Sequence, residues 1–436
     1  MKTYIKFNKS ILMLLGLFFF ASCSLDDADS LNGLSTDAIS SNLSRAELPQ
    51  AVSGILSDMR VGLNTQVDVQ SIFGREYYFF TGSDPRFEAD VVTANLDNNT
   101  FYTVTPWNAR YAAVRDINTA LEGLANTTAD FSAAEIAGTR GVLNTLLAHE
   151  FLMINNNQFS NGIRVDVVDP DNLGDFVSET EALTQIFNLL DGAATDLAAA
   201  GEDFPFTLSS GYSGFDTPSG FLQFNRGLTA RVEAYRENYP NVLNLLSNSF
   251  MDMAGDLETG VYHTFSLTGA DLPNPLFVAL NQTAIVRVAH SSFIDDALPN
   301  DLRLNKAVLR DAPVDFSGLI GTHDVFIYQS NVDNVPIMRN EELILLYAEA
   351  NMMANPGDAI TAINVIRNAA GVGPYTGGMT AAELEDEILF QRRYSLFAES
   401  HRWVDTRRFG RLAELPNDRA TDNVPMAVPV PFNENQ

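Results

Sequence analysis

The sequence predicts a mostly α-helical protein built from stacked helical hairpins of the tetratricopeptide type, with long irregular loops and minor β structure. Three observations support this fold class. With 46% hydrophobic and 19% charged residues over 436 positions, the chain can bury one or two substantial cores. Two pairs of amphipathic segments are joined by turns of only a few residues. Between the helical segments, two long stretches lose their periodicity and become rich in aromatic, Gly, Asp and Asn residues.

The clearest hairpin opens the helical region 340–410. Its first helix has one apolar face, formed by Leu343, Leu346, Tyr347, Ala350 and Ala354. Asn340 is expected to cap this helix, and the Asn-Pro-Gly sequence at residues 355–357 is expected to end it. Asp358 is then expected to cap a second amphipathic helix. Because the connecting turn is so short, the two helices are predicted to pack antiparallel.

A second hairpin region is predicted near residues 107–155. Ser132 and Glu135 have the spacing of a capping box at the start of a helix. Thr105 and Pro106 are expected to open the preceding helix, because proline is favoured at the first helical position.

A third region, near residues 180–255, contains helical patterns at 180–200, 219–237 and 241–255. The last two patterns are separated only by the short sequence around Pro240. They are therefore predicted to form another hairpin, which extends the stack.

The stretches 60–104 and 257–335 are predicted to be loop-rich, with a few short strands. Irregular segments of this length in a compact protein are more often functional than accidental. We therefore expect these two regions to face a ligand.

The N-terminal residues have the features of an export signal. The first nine residues carry three lysines, Ile11–Phe20 is an apolar run, and two small residues precede Cys23. The apolar run is too short to span a bilayer as a helix. Residues 1–22 are therefore predicted to be a signal peptide.

Cys23 is the one cysteine in the sequence, and its place after small residues resembles the lipobox of bacterial lipoproteins. The resemblance implies that the thiol is acylated and anchors the protein to a membrane. The alternative is an ordinary secreted protein with an incidental cysteine. Residues 23–42 are predicted to be a tether, followed by a single domain over residues 43–436. Aspartates just behind Cys23 resemble the signal that directs Bacteroidetes lipoproteins to the cell surface.

The charge of the chain restricts the class of ligand. Its 55 acidic and 27 basic side chains give a net charge of −28, which repels a nucleic-acid backbone. The same field disfavours strongly anionic polysaccharides unless a local arginine cluster or a bound cation reverses it. Neutral sugars or peptides therefore fit better, although the charge also serves solubility.

The motifs of common catalytic and metal sites are incomplete. His149-Glu150 begins like a zinc-protease helix, but Met153 stands where the second histidine is required. The acidic cluster could attract Ca²⁺ but lacks the ligand order of an EF-hand; it comprises Asp166, Asp169, Asp171 and Asp175. No cofactor, metal or catalytic residue is predicted, although sequence cannot exclude a carboxylate pair for glycoside hydrolysis.

The segment from Asn340 to Gly410 resembles the SusD/RagB family of Bacteroidetes nutrient-binding lipoproteins. Residues 342–350 read ELILLYAEA, and residues 363–371 read INVIRNAAG, both close to the family pattern. Residues 391–408 follow the family stretch "ER..E..FEG.RW.DL.R", with Gln391 and Ser400 as the departures. The resemblance implies a SusD-like α-superhelix on the outer surface of the outer membrane. It also implies a partner, a SusC-like TonB-dependent transporter that receives oligosaccharides or, in some members, peptides.

The same motif has a structural interpretation. Glu399, Arg402, Asp405 and Arg408 recur every three residues, so on one helix they form a ladder of opposite charges. Trp403, Phe397 and Tyr394 are predicted to pack beneath this ladder as core residues. We therefore expect the motif to stabilise the fold rather than to bind ligand.

A sugar site needs an aromatic platform flanked by polar side chains, and the sequence between residues 76 and 107 has that composition. The candidate ligand-binding residues are Tyr78, Phe80, Arg86, Phe87 and Tyr102. The alternative is that the consecutive aromatic residues form a buried strand.

The sequence therefore predicts a non-catalytic surface lipoprotein that captures oligosaccharides for a SusC-like transporter. A RagB-like protein that captures peptides is one alternative. A surface glycoside hydrolase and a structural adhesion protein are the others.

Overall fold

The structure is a computed structural model that describes residues 36–269 and 271–435. The predicted signal peptide, Cys23 and the predicted tether up to residue 35 lie outside the described residues. Helices are numbered α1 Thr36–Ser41, α2 Leu48–Asp58, α3 Leu63–Phe73, α4 Phe101–Ala125, α5 Ala133–Gln158, α6 Glu179–Ala198, α7 Pro218–Tyr235, α8 Tyr239–Leu246, α9 Ser291–Asp295, α10 Asn340–Asn351, α11 Pro356–Ala369, α12 Ala381–Ser395 and α13 Arg402–Arg408. Strands are numbered β1 Tyr77–Thr81, β2 Ile163–Arg164, β3 Phe176–Val177, β4 Gly260–His263, β5 Ile285–Ala289, β6 Ala307–Phe316, β7 Leu319–Val325 and β8 Val335–Arg339.

The long helices form the predicted stack. Helices α4 to α8 pack each against the next, α8 contacts α10, and α10, α11 and α12 pack on one another. A continuous apolar core runs between them, from Val52 on α2 through Leu146 on α5 to Leu343 on α10. The mostly α prediction and the hairpin architecture are confirmed. Within the described ranges, no helix is both long enough and apolar enough to cross a membrane.

The capping box predicted for α5 is present. The Ser132 side chain accepts a hydrogen bond from the Glu135 N–H, and the Glu135 carboxylate accepts from the Ser132 N–H at 2.7 Å. Several other predicted helix ends were wrong. Helix α4 begins at Phe101, so Pro106 lies inside it. Its early residues extend the helix because Phe101 and Tyr102 pack on the core beneath the sheet.

Two further differences concern the caps of α10 and α11. Helix α10 follows directly from strand β8, so Arg339 is its cap and Asn340 its first residue. The Asn340 side chain instead holds the preceding loop, accepting from the Asp252 N–H and donating to the Asp252 carbonyl. Helix α11 is capped by Asn355, and Asp358 lies in its first turn. Helix α8 also stops at Leu246, nine residues before the predicted end.

The last part of the predicted tether is structured. Residues 36–41 form α1, which packs on α4 rather than extending freely. Gly123 permits this contact, because a Cβ at that position would lie 2.0 Å from the Ile39 carbonyl oxygen. The domain therefore begins before residue 43.

The two predicted loop-rich regions contribute a four-stranded antiparallel sheet of order β1-β5-β7-β6. The region 60–104 also contains α3, in which ten of eleven residues are buried. A helix that is buried all round shows no amphipathic pattern, which explains why its sequence looked irregular. A second small sheet pairs β4 with β8 and has a bulge between Val261 and Tyr262.

The charged motif of residues 399–408 is not a ladder on one helix. Helix α13 starts at Arg402, and Glu399 lies before it in a segment where Ala398 and Ser400 have positive φ. Of the predicted pairs along the chain, only Asp405–Arg408 forms. The charges instead connect separate elements, because Glu399 binds Arg339 on β8. The core prediction is confirmed, since Trp403, Phe397 and Tyr394 are all 0% exposed.

Helix α10 is joined to two other helices by buried ion pairs. Glu342 receives two hydrogen bonds from Arg231 of α7, at 2.6 and 2.5 Å. Glu349 receives two from Arg408 of α13, at 2.5 and 2.7 Å. Burial alone would raise the pKa of Glu342, but Arg231 and His401 outweigh it and lower that pKa to about 2. Glu342 is therefore ionised at every physiological pH.

Replacing Glu342 with Ala should destabilise the protein by about 3–5 kcal/mol, because the Arg231 guanidinium would stay buried without its partner. The double change Arg231→Met with Glu342→Leu should recover most of that loss. Asp196→Ala, which removes an exposed pair with Arg140, is the control and should cost less than about 1 kcal/mol. Urea unfolding of residues 36–435 measures all three. Equal losses for Glu342→Ala and Asp196→Ala would contradict the central role of the buried pair.

Glu76 is a buried carboxyl group without an arginine partner within 4 Å. It precedes β1 and accepts a hydrogen bond from the Ala398 N–H at 3.0 Å. Burial raises its pKa to about 7, although the Ala398 N–H and Arg402 act in the opposite direction. Because the folded-state pKa lies above the ordinary value of 4.5, ionisation of Glu76 opposes folding increasingly as pH rises from 4.5 to 7.

Glu76→Gln should therefore gain stability relative to the wild type as pH rises through this window. The advantage should level off above pH 7, at a value on the order of 3 kcal/mol. Chemical denaturation at several pH values measures the difference. A difference that stays constant from pH 4.5 to 8 would show that Glu76 ionises normally in the folded protein.

Candidate functional site

Four of the five predicted ligand residues are buried, so their assignment to an exposed platform was wrong. Tyr78, Phe80, Phe87 and Tyr102 are each at most 5% exposed and belong to the core between the sheet and α3. Strand β1 is covered on both faces, so consecutive aromatic side chains all find apolar contacts. The hydroxyl groups are also used internally: Tyr78 Oη binds Asp418, and Tyr102 Oη donates to Asp90.

Arg86 is the predicted site residue that remains at the surface. Its guanidinium group binds the Asp84 carboxylate at 2.5 and 2.8 Å and lies 4.7 Å from the centre of the Phe101 ring. The pair is therefore neutralised locally, yet both side chains can still reach a ligand. Arg86 stays a candidate contact.

A concave site opens elsewhere, between β4, β8 and the segment that follows β7. We call it the aromatic cleft, and its volume is about 420 Å³. Its defining side chains are three aromatic residues and three amides, Tyr262, Phe326, Tyr328, Asn305, Gln329 and Asn334. This volume lies within the range of about 300–1,000 Å³ that is typical of small-molecule sites.

The polar side chains of the aromatic cleft are free to bind a ligand. Among the described residues, the amide groups of Asn305, Gln329 and Asn334 and the hydroxyl group of Tyr328 make no hydrogen bond. Each amide offers two donors and one acceptor oxygen. The cleft thus presents unpaired hydrogen-bonding groups beside aromatic rings, which is the combination that sugars require.

The wall of the cleft is held in place by a tight loop. The Asp333 carboxylate accepts hydrogen bonds from the N–H groups of Gln329 and Ser330, at 2.5 and 3.0 Å. The Asn274 side chain donates to the Asp333 carbonyl, and the Phe326 N–H donates to the Lys306 carbonyl. The backbone that carries these aromatic and amide side chains is therefore positioned before a ligand arrives.

The charged groups at the floor of the aromatic cleft are already engaged in internal contacts. Arg339 binds Glu399, Glu341 and Glu258, at 2.5, 2.7 and 3.0 Å. Lys306 donates through Nζ to the carbonyl groups of Tyr394 and Ser395, and burial lowers its pKa. These charges hold the floor together and leave recognition to the neutral groups above them.

Tyr262 owes its position to the bulge in the β4–β8 ladder. Val261 faces Met338, but after the bulge Tyr262 faces Pro336. A bulge re-aims the side chains next to it. The Tyr262 hydroxyl donates to the Glu258 carbonyl, so the ring is fixed at the edge of the cleft.

A small closed chamber of about 50 Å³ lies under the floor. Its wall includes His263, His401 and Arg110, and it shares Glu399 with the aromatic cleft. Burial lowers the pKa of His401 to about 4 and that of His263 well below its usual range, so both are neutral at physiological pH. The chamber has the size of a water site rather than a ligand site.

The weak metal signals in the sequence do not assemble into a site. His149 Nδ1 lies 2.9 Å from Glu150, which also binds Arg110, so this histidine is part of a buried polar cluster. Across the ranges that the structure describes, no three His, Cys, Asp or Glu side chains are grouped to hold a metal ion. That includes the acidic cluster at residues 166–175.

The sequence analysis expected two ligand-facing regions and took its candidate side chains from residues 76–107, which do not line the aromatic cleft. The aromatic cleft lies largely in the stretch 257–335, which was expected to face a ligand. Residues 326–334 read FIYQSNVDN, with the same aromatic and amide composition that drew attention to residues 76–107. Composition alone could have found this segment, but could not show which aromatic residues stay accessible.

Comparison with known proteins agrees with this architecture. Residues 327–430 match the model of the SusD family. A "SusD-like protein P38" of Formosa agariphila is 36% identical over 103 residues, which are 21% of this chain. That match spans only 20% of the relative's length.

Solved structures extend the similarity to nearly the whole chain. A SusD superfamily protein of Bacteroides vulgatus has a TM-score of 0.67 at 15% identity, over 90% of this chain and 96% of its own. Surface glycan-binding protein A of Bacteroides thetaiotaomicron, in complex with laminarihexaose, has a TM-score of 0.70 at 14% identity, over 90% and 97%. A laminarin-binding SusD-like protein has a TM-score of 0.62 at 15% identity, over the same shares.

The chain therefore has the SusD-type helical fold. It carries the SusD family sequence pattern through residues 327–430, so the resemblance inferred from the motifs is confirmed.

Proposed function

We propose that this protein is a surface lipoprotein that captures neutral oligosaccharides and delivers them to a SusC-like TonB-dependent transporter, without catalysis. The observation that carries the proposal is the set of unpaired amides beside aromatic rings in the aromatic cleft. Proteins of the same fold that bind laminarihexaose or laminarin support the ligand class.

The chemistry of the cleft suits a sugar. The rings of Tyr262 and Phe326 offer apolar surfaces to the C–H faces of a pyranose. The amides of Asn305, Gln329 and Asn334 can both donate to and accept from its hydroxyl groups. Binding through rings and amides needs no charged group. A neutral ligand is therefore not repelled by the net charge of −28 on the chain.

Two groups at the cleft argue against hydrolysis there. Glycoside hydrolases use one carboxyl group as an acid and a second as a nucleophile or base. The carboxylates that line the cleft are Glu258 and Glu399, and both bind Arg339. Both carboxylates are thus already engaged by one guanidinium group, although burial still raises the pKa of Glu399.

Replacing Phe326 with Ala should weaken oligosaccharide binding about tenfold, or about 1.4 kcal/mol, because a ring that packs on the sugar is lost. The probes are neutral hexasaccharides of the laminari, malto, cello and xylo series, measured by calorimetry on residues 36–435. Tyr375→Ala, which removes a partly exposed tyrosine outside the cleft, is the matched control and should change nothing.

Arg86→Ala distinguishes the two candidate surfaces. If it weakens binding while Phe326→Ala does not, the ligand binds at the loop around Arg86 and the aromatic cleft is not the site. A short peptide library and an assay for released sugar test the alternatives. Peptide binding in place of glycan binding would favour a RagB-like role, and turnover would contradict a purely binding function.

The proposed location rests on Cys23 and the acidic residues behind it. Acyl chains contribute about 0.8 kcal/mol for each buried CH₂ group, so more than one chain gives durable anchoring. Cys23→Ser in the full chain should move the protein from the membrane fraction to the soluble fraction. Fractionation with immunoblotting measures this, and surface proteolysis of intact cells tests which side it faces. A variant that remains in the membrane would place the anchor elsewhere.

A further inference from the structure

A second cleft opens on the other side of Tyr262. We call it the hydroxyl cleft, and its volume is about 550 Å³. Tyr262 lines both clefts, so the two are neighbours. The hydroxyl cleft is named for five side chains from three separate segments, Ser53, Ser57, Thr207, Ser209 and Thr264.

None of these five hydroxyl groups makes a side-chain hydrogen bond to any other described residue. A serine or threonine hydroxyl at a protein surface normally satisfies itself with nearby backbone or with water. Five that converge on one concave space, from α2 and from two loops, offer both donors and acceptors to whatever fills it. This arrangement matches a ligand that is itself rich in hydroxyl groups.

The electrostatics of the hydroxyl cleft favour a neutral ligand. Its charged side chains near the opening are Arg60 and Asp271, which bind each other at 2.7 Å. Arg60 also donates to the Thr264 carbonyl and lies 5.6 Å from the centre of the Phe265 ring. Neither charge is left free to attract an ionic group.

The far wall of the hydroxyl cleft is attached to the strand that carries Tyr262. The short helical turn Ser210–Tyr212 packs on β4 so closely that a Cβ at Gly211 would lie 2.0 Å from the Tyr262 carbonyl oxygen. Tyr212 is 1% exposed, and its hydroxyl group has no hydrogen-bond partner among the described residues. Both clefts therefore share one rigid element.

We propose that the hydroxyl cleft is a second sugar subsite, continuous with the aromatic cleft across Tyr262, and that the protein selects linear neutral oligosaccharides long enough to fill both. This inference rests on the proposed function and adds chain length to it. One end of the ligand packs on Phe326, and the next units contact the free hydroxyl groups. Short sugars occupy the aromatic cleft alone.

The aromatic cleft and the hydroxyl cleft have different roles in recognition. Aromatic rings bind the apolar face of a sugar with little regard to its exact hydroxyl pattern. Hydroxyl groups carried by three backbone segments discriminate between hydroxyl positions on the sugar. A buried polar group that finds no hydrogen-bond partner costs desolvation free energy. The aromatic cleft therefore supplies most of the affinity for a short ligand, and the hydroxyl cleft supplies the dependence on length.

The test compares disaccharides with hexasaccharides of the laminari, malto, cello and xylo series on residues 36–435. For any series that binds, the wild type should prefer the hexasaccharide by at least about tenfold. The double variant Thr207→Val with Thr264→Val should lose about tenfold in hexasaccharide affinity and keep its disaccharide affinity. Tyr262→Ala should weaken both ligands.

The matched control is Thr376→Val with Thr421→Val, two exposed threonines outside both clefts whose hydroxyl groups also make no hydrogen bond. This variant should bind like the wild type. Equal affinity of the wild type for short and long sugars would overturn the inference, as would a double variant that loses nothing or loses both ligands equally. If no sugar of any length binds, the proposed function itself is wrong. The wild-type length series decides the question even if the double variant is unstable.

Discussion

The structure depends on two buried carboxylates of helix α10. Glu342 and Glu349 are both nearly inaccessible to solvent, and each is held by an arginine from a different helix. Taking a carboxylate out of water is so costly that it persists only with its partner in place. Arg231 and Arg408 therefore have to lie where they do, and α7 and α13 have to lie against α10. The apolar residues of α10 fill the remaining space between the stacked hairpins.

The position of helix α10 also determines the floor of the candidate site. Arg339 ends strand β8 immediately before α10 begins, and its guanidinium group binds Glu341 of that helix as well as Glu399. These groups form the floor of the aromatic cleft. The charged residues of the motif thus act as a structural clamp, which fixes the level and orientation of the surface above it. The segment that matches the SusD family, residues 327–430, also supplies part of the cleft wall, including Gln329 and Asn334.

Features set by interactions between neighbouring residues were predicted better than features set by contacts between residues far apart in the sequence. The capping box at Ser132 is local and was correctly identified. The Asn-Pro-Gly sequence at residues 355–357 does not end α10, which stops at Asn351, but opens α11. Helix α3 was missed because it is buried on every side, so its sequence lacks the alternation that marks an amphipathic element. Strand β1 was foreseen only as the alternative to an aromatic ligand platform. The hairpin stack could be predicted, whereas the sheet that pairs β1 with β5, about two hundred residues later, could not.

The residues of the candidate site could not be predicted for the same reason. Tyr78 and Phe80 lie in a run of aromatic residues that composition cannot distinguish from the run containing Phe326 and Tyr328. Only the three-dimensional structure shows that helix α3 packs on β1 and that β5 pairs with it. The charged residues at 399–408 were expected on one helical face, but the positive φ angles of Ala398 and Ser400 turn the chain before the helix starts.

Gly211 sets the spacing between the turn Ser210–Tyr212 and strand β4. It touches the backbone of Tyr262 and has no side chain with which to contact a ligand. Any larger residue there would push the turn Ser210–Tyr212 away from β4 and widen the space between the walls. Gly211 therefore acts as a spacer: it sets the distance between the turn Ser210–Tyr212 and β4 although it lines neither cleft itself.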